Sequence, residues 1–85
     1  MSEDIELLKK KIIYKSSYRG IKELDIILRS FIGKYLDKLC IDELNDLIEF
    51  LNNNDDDIYK FKQGLKVEKK IKINRISNLF KNFNI

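Results

Sequence analysis

Three residues near the start of the chain combine side-chain types that suit the recognition of another polypeptide. Arg19 supplies a forked, planar hydrogen-bond donor, and Gly20 beside it presents bare backbone that another chain can approach closely. Glu23 follows Arg19 by four residues, so on a helix the two side chains would lie one turn apart on the same face. The group therefore offers a donor, an acceptor and room for close approach, which is the chemistry of a docking site.

The same residues break local rules at what looks like the opening of a helix. Glycine costs up to about 1 kcal/mol relative to alanine within a helix, and arginine opposes the positive end of the helix dipole. A surface ion pair between Arg19 and Glu23 would contribute only about 0.3–0.5 kcal/mol, in the less favourable order. Residue types alone support the local and the functional interpretation about equally. The functional one requires a docked polypeptide that completes the surroundings of Arg19 and Gly20; a monomer sealing both would exclude it.

Composition excludes several classes of catalyst. The 85-residue chain has no histidine and one cysteine, Cys40. Within one chain this excludes a disulfide framework, a zinc site built from Cys and His, and Ser-His-Asp or Cys-His catalysis. No activating base is evident for Cys40, so we interpret it as a small boundary residue. The acids at 55–57 lack EF-hand spacing, so we expect helix capping and no metal site.

The charge and the apolar pattern bear on the compartment. The formal net charge is +3, which is mildly basic, and abundant lysine, isoleucine and asparagine are typical of an AT-rich genome. No apolar run approaches the roughly 18 residues that span a membrane, and the first residues lack a secretory or transit pattern. We therefore expect a protein of a reducing bacterial cytoplasm, without membrane insertion.

Apolar residues recur at helical spacing almost throughout, which predicts an all-α fold: one domain over residues 1–85, a compact bundle of about five helices. Asp55 is expected to cap the fourth helix and Gly64 to end it. Gly33 is expected where another helix crosses closely. The last helix would turn Ile73 inward, together with Ile76, Phe80 and Phe83, although residues 66–73 would also tolerate a strand. The predicted helices span about residues 3–17, 20–39, 42–52, 56–63 and 67–82.

Four further residues are candidates for the docking surface. Tyr14, Tyr18 and Tyr59 would flank the arginine–glycine patch and stack on a partner, with partial core burial about equally well supported. Asp25 would contact the partner or only favour the helix N-terminus, and we prefer the second interpretation.

At these residues the sequence resembles a known family. The stretch YRGIKELDIILRSFIGKYLDKL, residues 18–39, is similar to the SdhE-type flavinylation factors, whose eukaryotic members are called succinate dehydrogenase assembly factor 2. The family pattern is Arg-Gly-x-x-Glu followed by Leu-Asp, and the sequence matches it at Arg19, Gly20, Glu23, Leu24 and Asp25. An acidic turn with two aromatic residues before a glycine extends the similarity, at Ile58, Tyr59, Phe61 and Gly64. The resemblance covers roughly residues 8–64.

Four positions depart from the family pattern. Tyr18 stands where a second basic residue is common, and Phe61 where a tryptophan is common. Cys40 stands in the place of a helix-capping serine, and Asp56 where family members carry proline. None of these departures changes Arg19, Gly20 or Glu23.

The resemblance implies a helical assembly chaperone, not an enzyme. It would bind the flavoprotein subunit of succinate dehydrogenase, or the related fumarate reductase subunit, and promote covalent attachment of FAD to a histidine there. FAD would be attached to that subunit, and this chain would hold no stable cofactor and be a monomer when free. Arg19 would bond the subunit, Glu23 would order Arg19 or accept a donor, and Gly20 would let the backbones meet.

Two alternatives compete with this interpretation. Residues 9–11 and 66–72 are rich in lysine and would suit a small nucleic-acid-binding regulator, although we favour a solvated surface without nucleic acid. The other alternative is a toxin–antitoxin-like or purely structural helical module.

Overall fold

The computed structural model describes residues 2–17, 19–67 and 71–84, and it confirms the predicted all-α class. Within those ranges the chain forms five α-helices and no strand. The helices are α1 (Ser2–Ser16), α2 (Lys22–Tyr35), α3 (Ile41–Leu51), α4 (Asp55–Gln63) and α5 (Arg75–Lys81), with a 3₁₀ turn at Leu36–Lys38 after α2. No helix in this described part is long and apolar enough to cross a bilayer.

Helices α2 and α3 each pack against at least two other helices. Helix α1 packs on α2 and α3, while α4 contacts α2 and both α3 and α4 contact α5. The Phe31 ring on α2 lies 5.4 Å from the ring centroids of both Phe80 and Phe83. The apolar residues of α2 that are buried follow the helical spacing seen in the sequence: Leu24, Leu28, Phe31 and Ile32. This core joins the last residues of the chain to the middle of the sequence.

Helix α2 begins two residues later than predicted. Ile21 is its N-cap residue, and the Ile21 carbonyl accepts a hydrogen bond of 2.9 Å from the Asp25 N–H. Arg19 and Gly20 therefore precede the helix. Neither the dipole penalty for arginine nor the cost of a glycine within a helix applies to them. At its other end α2 stops at Tyr35 and tightens into the 3₁₀ turn, short of the predicted Leu39.

The predictions for two glycines had opposite outcomes. Gly64 ends α4 in the left-handed conformation, with φ of 77°, as predicted. The prediction for Gly33 was wrong: a Cβ added there would meet no atom within 4 Å, so no helix crosses closely at this point.

Asparagine side chains determine where α4 and α5 begin. The Asn54 side chain accepts a hydrogen bond of 2.9 Å from the Asp57 N–H, so Asn54 caps α4 and the predicted role of Asp55 was wrong. Asn74 and Ser77 form a reciprocal pair, in which each side chain accepts from the other residue's N–H at 2.9 Å. This capping box fixes the start of α5 at Arg75.

The start of α5 corrects the predicted last helix. Residues 71–73 are not helical, and 68–70 lie outside the described residues. Ile71 is buried in the core, whereas Ile73 is 59% exposed. The expected inward position of Ile73 was therefore wrong, because the residues before the capping box do not continue the helical period. Ile76, Phe80 and Phe83 are buried as predicted.

Candidate functional site

The Arg19 guanidinium lies between the end of one helix and the start of another. Nη1 donates to Oδ1 of Asp55 at 3.0 Å, and Nη2 donates to the carbonyl oxygen of Leu51 at 2.9 Å. Leu51 is the last residue of α3 and Asp55 is the first residue of α4. A cation at a helix C-terminus and an anion at a helix N-terminus are both favoured by the helix dipoles. The position of Arg19 is therefore electrostatically favourable within the monomer.

Gly20 shares the same carboxylate. Its N–H donates to Oδ2 of Asp55 at 2.7 Å, so one side chain accepts from both neighbouring residues. A Cβ added to Gly20 would lie 3.2 Å from Oδ2, closer than ordinary van der Waals contact. The missing side chain of Gly20 thus has a reason inside the chain, which is the close approach of Asp55.

Glu23 bonds to α4 one turn further along. The Tyr59 hydroxyl donates to Oε2 of Glu23 at 2.6 Å. This hydrogen bond to a carboxylate, together with burial and the nearby negative charge, raises the pKa of Tyr59 above its ordinary value. Asp55 and Tyr59 are four residues apart and share one face of α4. We call these five residues, Arg19, Gly20, Glu23, Asp55 and Tyr59, the motif clasp.

The clasp corrects the predicted pairing of Arg19 with Glu23. In the described part of the chain the partners of Arg19 are Asp55 and Leu51, and the partner of Glu23 is Tyr59. The physical reason is the late start of α2. Because Arg19 precedes that helix, it does not lie one turn from Glu23 on a common face.

A monomer that seals both Arg19 and Gly20 would exclude docking, and the structure meets this condition only in part. The Arg19 side chain is only 11% exposed, and both terminal nitrogens are bonded within the chain. Its Nε is buried and has no hydrogen-bond partner among the described residues. Gly20 and Glu23 remain exposed. A partner can therefore reach the Gly20 backbone and the Glu23 carboxylate more readily than the Arg19 guanidinium.

The other predicted site residues occupy different environments. Tyr14, on α1, is 78% exposed and lines an open groove together with Arg19 and Asn52, so it does flank the clasp. Tyr59 is half-buried. Asp25 is half-buried within the first turns of α2, and its Oδ1 lies 3.3 Å from Nε of Arg29. Partner contacts by these residues stay predictions.

Two predicted features need a brief account. Tyr18 lies outside the described residues. Cys40 is exposed and is the N-cap residue of α3, where its N–H donates to Oε1 of Glu43 at 3.2 Å, so it is a helix-boundary residue as predicted. In the described part of the chain no group of three or more His, Cys, Asp or Glu residues could hold a metal ion.

The contacts of Asp55 with Arg19 and Gly20 were not predicted from the sequence. Asp55 was expected to cap a helix, whereas its carboxylate joins Arg19 and Gly20 to α4. The acidic turn signalled that carboxylates are important here, but three consecutive aspartates gave no indication of which one faces the motif. Asn54 takes the capping role. The neighbouring Asp55 carboxylate is therefore available for Arg19 and Gly20, which lie far earlier in the sequence.

Comparison with known proteins agrees with the family that the sequence resembles. The family described as flavinator of succinate dehydrogenase matches residues 10–84. Among curated proteins, succinate dehydrogenase assembly factor 2, mitochondrial, of Aspergillus flavus is 39% identical over 57 residues, covering 67% of this chain and 20% of its own. The protein of that name from Saccharomyces cerevisiae strain YJM789 is 40% identical over 58 residues, covering 68% of this chain and 36% of its own. No solved structure matches the chain significantly.

The match over residues 10–84 includes the whole motif clasp and all of α2 to α5. The chain therefore belongs to the family of flavinators of succinate dehydrogenase. It is similar to the fungal assembly factors but spans only about a fifth to a third of the length of these curated relatives. The names of those relatives place them in mitochondria; a cytoplasmic location for this chain stays a prediction.

Proposed function

We propose that this protein binds the flavoprotein subunit of succinate dehydrogenase and promotes the covalent attachment of FAD to it, without being an enzyme. The observation that carries the proposal is the family match over residues 10–84, which includes the motif clasp. The comparisons identify the family; the binding partner and the flavin step are our inference from it.

The geometry of the clasp supports a positioning role. Hydrogen bonds to the first turns of α4 hold the Arg19 side chain, the Gly20 N–H and the Glu23 side chain. A surface that is ordered before binding has less conformational freedom to lose when a partner docks. Holding a subunit in a reactive arrangement accelerates a reaction that the subunit and its flavin carry out. This chain itself contains no histidine, which suits positioning better than catalysis.

Several finer features belong to the same proposal. FAD is the group that becomes attached to the flavoprotein subunit, and this chain holds no cofactor of its own. The free protein is a monomer, and the related subunit of fumarate reductase is a second partner. Exposed Gly20 and Glu23 lie at the centre of the contact, and Tyr14 lies at its edge.

The nucleic-acid alternative has weaker support. Lys9 forms an ion pair of 3.1 Å with Asp37, and Lys15 donates to the Asn52 side chain at 2.7 Å. Two lysines of α1 are thus engaged within the chain. Strong, salt-sensitive binding of purified protein to DNA or RNA would favour the alternative.

Coexpression tests the proposal directly. The flavoprotein subunit from the same genome is produced with and without this protein, and covalent flavin is read as in-gel fluorescence of the denatured subunit. We expect a clear gain of fluorescence with the wild type, and little gain with Glu23→Ala. Glu49→Ala is a matched control, since Glu49 is an exposed helical glutamate outside the clasp. No gain with a folded wild-type protein contradicts the proposal.

A further inference from the structure

We propose that Asp55 is the positioning residue of the docking surface: its carboxylate holds Arg19 and Gly20 in the conformation that the flavoprotein subunit recognises. This inference rests on the proposed function, and it adds a residue that lies outside the Arg-Gly-x-x-Glu motif. Asp55 acts through the motif, and its own contact with the partner is not required.

Both oxygens of the Asp55 carboxylate accept hydrogen bonds from residues of the Arg-Gly-x-x-Glu motif. Oδ1 accepts from Nη1 of Arg19 at 3.0 Å, and Oδ2 accepts from the N–H of Gly20 at 2.7 Å. The side chain is 27% exposed and that of Arg19 is 11% exposed, so the pair is partly shielded from water. Charge-assisted hydrogen bonds in such a setting are stronger than bonds between neutral groups. Each oxygen has a separate donor, and only an ionised carboxylate offers both acceptors at once.

The local role of an acid at this position is redundant. The first turn of α4 contains three aspartates, Asp55, Asp56 and Asp57, and all of them suit the positive end of the helix dipole. The capping hydrogen bond belongs to the Asn54 side chain. Helix α4 therefore does not need a carboxylate at position 55 in particular. The hydrogen bonds to Arg19 and Gly20 account for the presence of a carboxylate at position 55.

Asp55→Asn would loosen the connection between α1 and α2. It leaves Nη1 of Arg19 and the N–H of Gly20 to share one neutral amide oxygen, while Glu23 would still bond to Tyr59. The backbone before α2 would then have to be ordered during docking, at a cost to affinity. We expect binding to the flavoprotein subunit to weaken roughly tenfold.

Binding of the purified flavoprotein subunit to the full-length chain tests this, with Asp55→Asn compared with Asp56→Asn. Both variants remove one negative charge from the first turn of α4, so dipole and net-charge effects are matched. We expect Asp55→Asn to bind roughly tenfold more weakly and Asp56→Asn to bind as the wild type does. Equal affinities for all three proteins overturn the role of Asp55. Absence of binding by the wild type overturns the proposed function, and this inference with it.

Two measurements separate positioning from simple loss of fold. The Gly20 amide proton should move upfield in the NMR spectrum of Asp55→Asn, since its short bond to a charged carboxylate is replaced at most by a weaker bond to a neutral amide oxygen, while the amides of α5 stay unchanged. In a double-mutant cycle, Asp55→Asn added to Arg19→Ala should weaken binding by less than the roughly tenfold loss that it causes in the wild type, because the contact with Arg19 is already gone and only the contact with Gly20 remains to be weakened. Fully additive losses, or shifts spread over all five helices, would contradict the inference.

Discussion

The two ends of helix α4 are used differently. At its first turn Asp55 accepts hydrogen bonds from Arg19 and Gly20, and both the glycine and the Glu23 side chain nearby are exposed. At its last turn Lys62 donates to the backbone carbonyls of Lys81 and Phe83, close to a cluster of buried aromatic rings. The first end orders a polar surface by specific bonds, and the second end attaches the C-terminal residues to the core.

This difference indicates which residues stabilise the fold and which residues recognise a partner. Residues 71–84, which we call the C-terminal region, contribute the buried side chains Ile71, Ile76, Phe80 and Phe83. The motif clasp contributes directed hydrogen bonds with partial exposure. Substitutions in the C-terminal region should therefore lower the free energy of unfolding. Substitutions in the clasp should mainly change the binding of a partner.

The largest expected effect is in the C-terminal region. Phe80 is fully buried, and its ring lies 5.4 Å from Phe31 and 5.2 Å from Phe50. Phe80→Ala should lower the free energy of unfolding by about 3–5 kcal/mol, since it removes these contacts and leaves a cavity. Urea denaturation measures the loss, and Phe80→Leu, with an intermediate loss, covers the case in which the alanine variant does not fold.

Ile73→Ala is the matched control in the same region. The side chain of Ile73 is largely exposed, so the change should stay within about 0.5 kcal/mol. A loss at position 73 equal to that at position 80 would contradict the division between stability and recognition.

Arg19→Lys should have a smaller effect on stability. Lysine keeps the charge but has no fork, so it cannot bond Asp55 and the Leu51 carbonyl with the guanidinium geometry. We expect a loss of about 1 kcal/mol in the free energy of unfolding, together with weaker binding of the flavoprotein subunit. A variant with unchanged affinity would show that the partner does not depend on the Arg19 geometry.

Gly20→Ala should sharpen the comparison further. The added Cβ would lie 3.2 Å from Oδ2 of Asp55, so the carboxylate must shift by a few tenths of an ångström. Alanine also restricts the unfolded chain, which stabilises by about 0.4–1 kcal/mol. The two effects oppose each other, and we expect little net change in thermal stability with a clear loss of partner binding. A large fall in melting temperature would instead place Gly20 with the stabilising residues.

The smallest effects concern pH, and they have opposite signs at Tyr59 and at Lys62. The raised pKa of Tyr59 means that its hydrogen bond to Glu23 stabilises the fold below the ordinary value of 10.0 and loses this contribution as pH rises through the higher folded pKa. The stability advantage of the wild type over Tyr59→Phe should therefore shrink as pH rises above 10.0. Denaturation at a series of alkaline pH values measures it.

Lys62 should behave in the opposite way. Burial lowers its pKa below the ordinary 10.5, so the cost of holding the ammonium group disappears as pH rises through the folded pKa toward that value. The wild type should then gain stability relative to Lys62→Met over this window. The same sign of change for Tyr59→Phe and Lys62→Met would contradict the stated causes of the two pKa shifts.

Much of the fold was predictable because apolar spacing is a local property. The stripe of α2 and the glycine that ends α4 follow from residue types and short-range rules. The start of α5 was predictable too, since Asn74 and Ser77 form a recognisable capping box, but the expected helix extended through it. That error came from following apolar residues beyond a local start signal.

The contacts of the site were less predictable. The motif itself stood out by residue type, and the family match includes it. Its partners could not be deduced, because Asn54 and Asp55 are equally good cap residues in sequence. Only the packing of α4 beside the segment before α2 decides which of them caps the helix and which bonds to Arg19.

Hydrogen–deuterium exchange of the protein with and without the flavoprotein subunit tests the central claim most directly. The account predicts that added subunit slows exchange in peptides that cover residues 19–23 and the loop before α4. Exposed amides of the C-terminal region should exchange at an unchanged rate. Protection confined to residues 71–84, with none around Gly20, would contradict it.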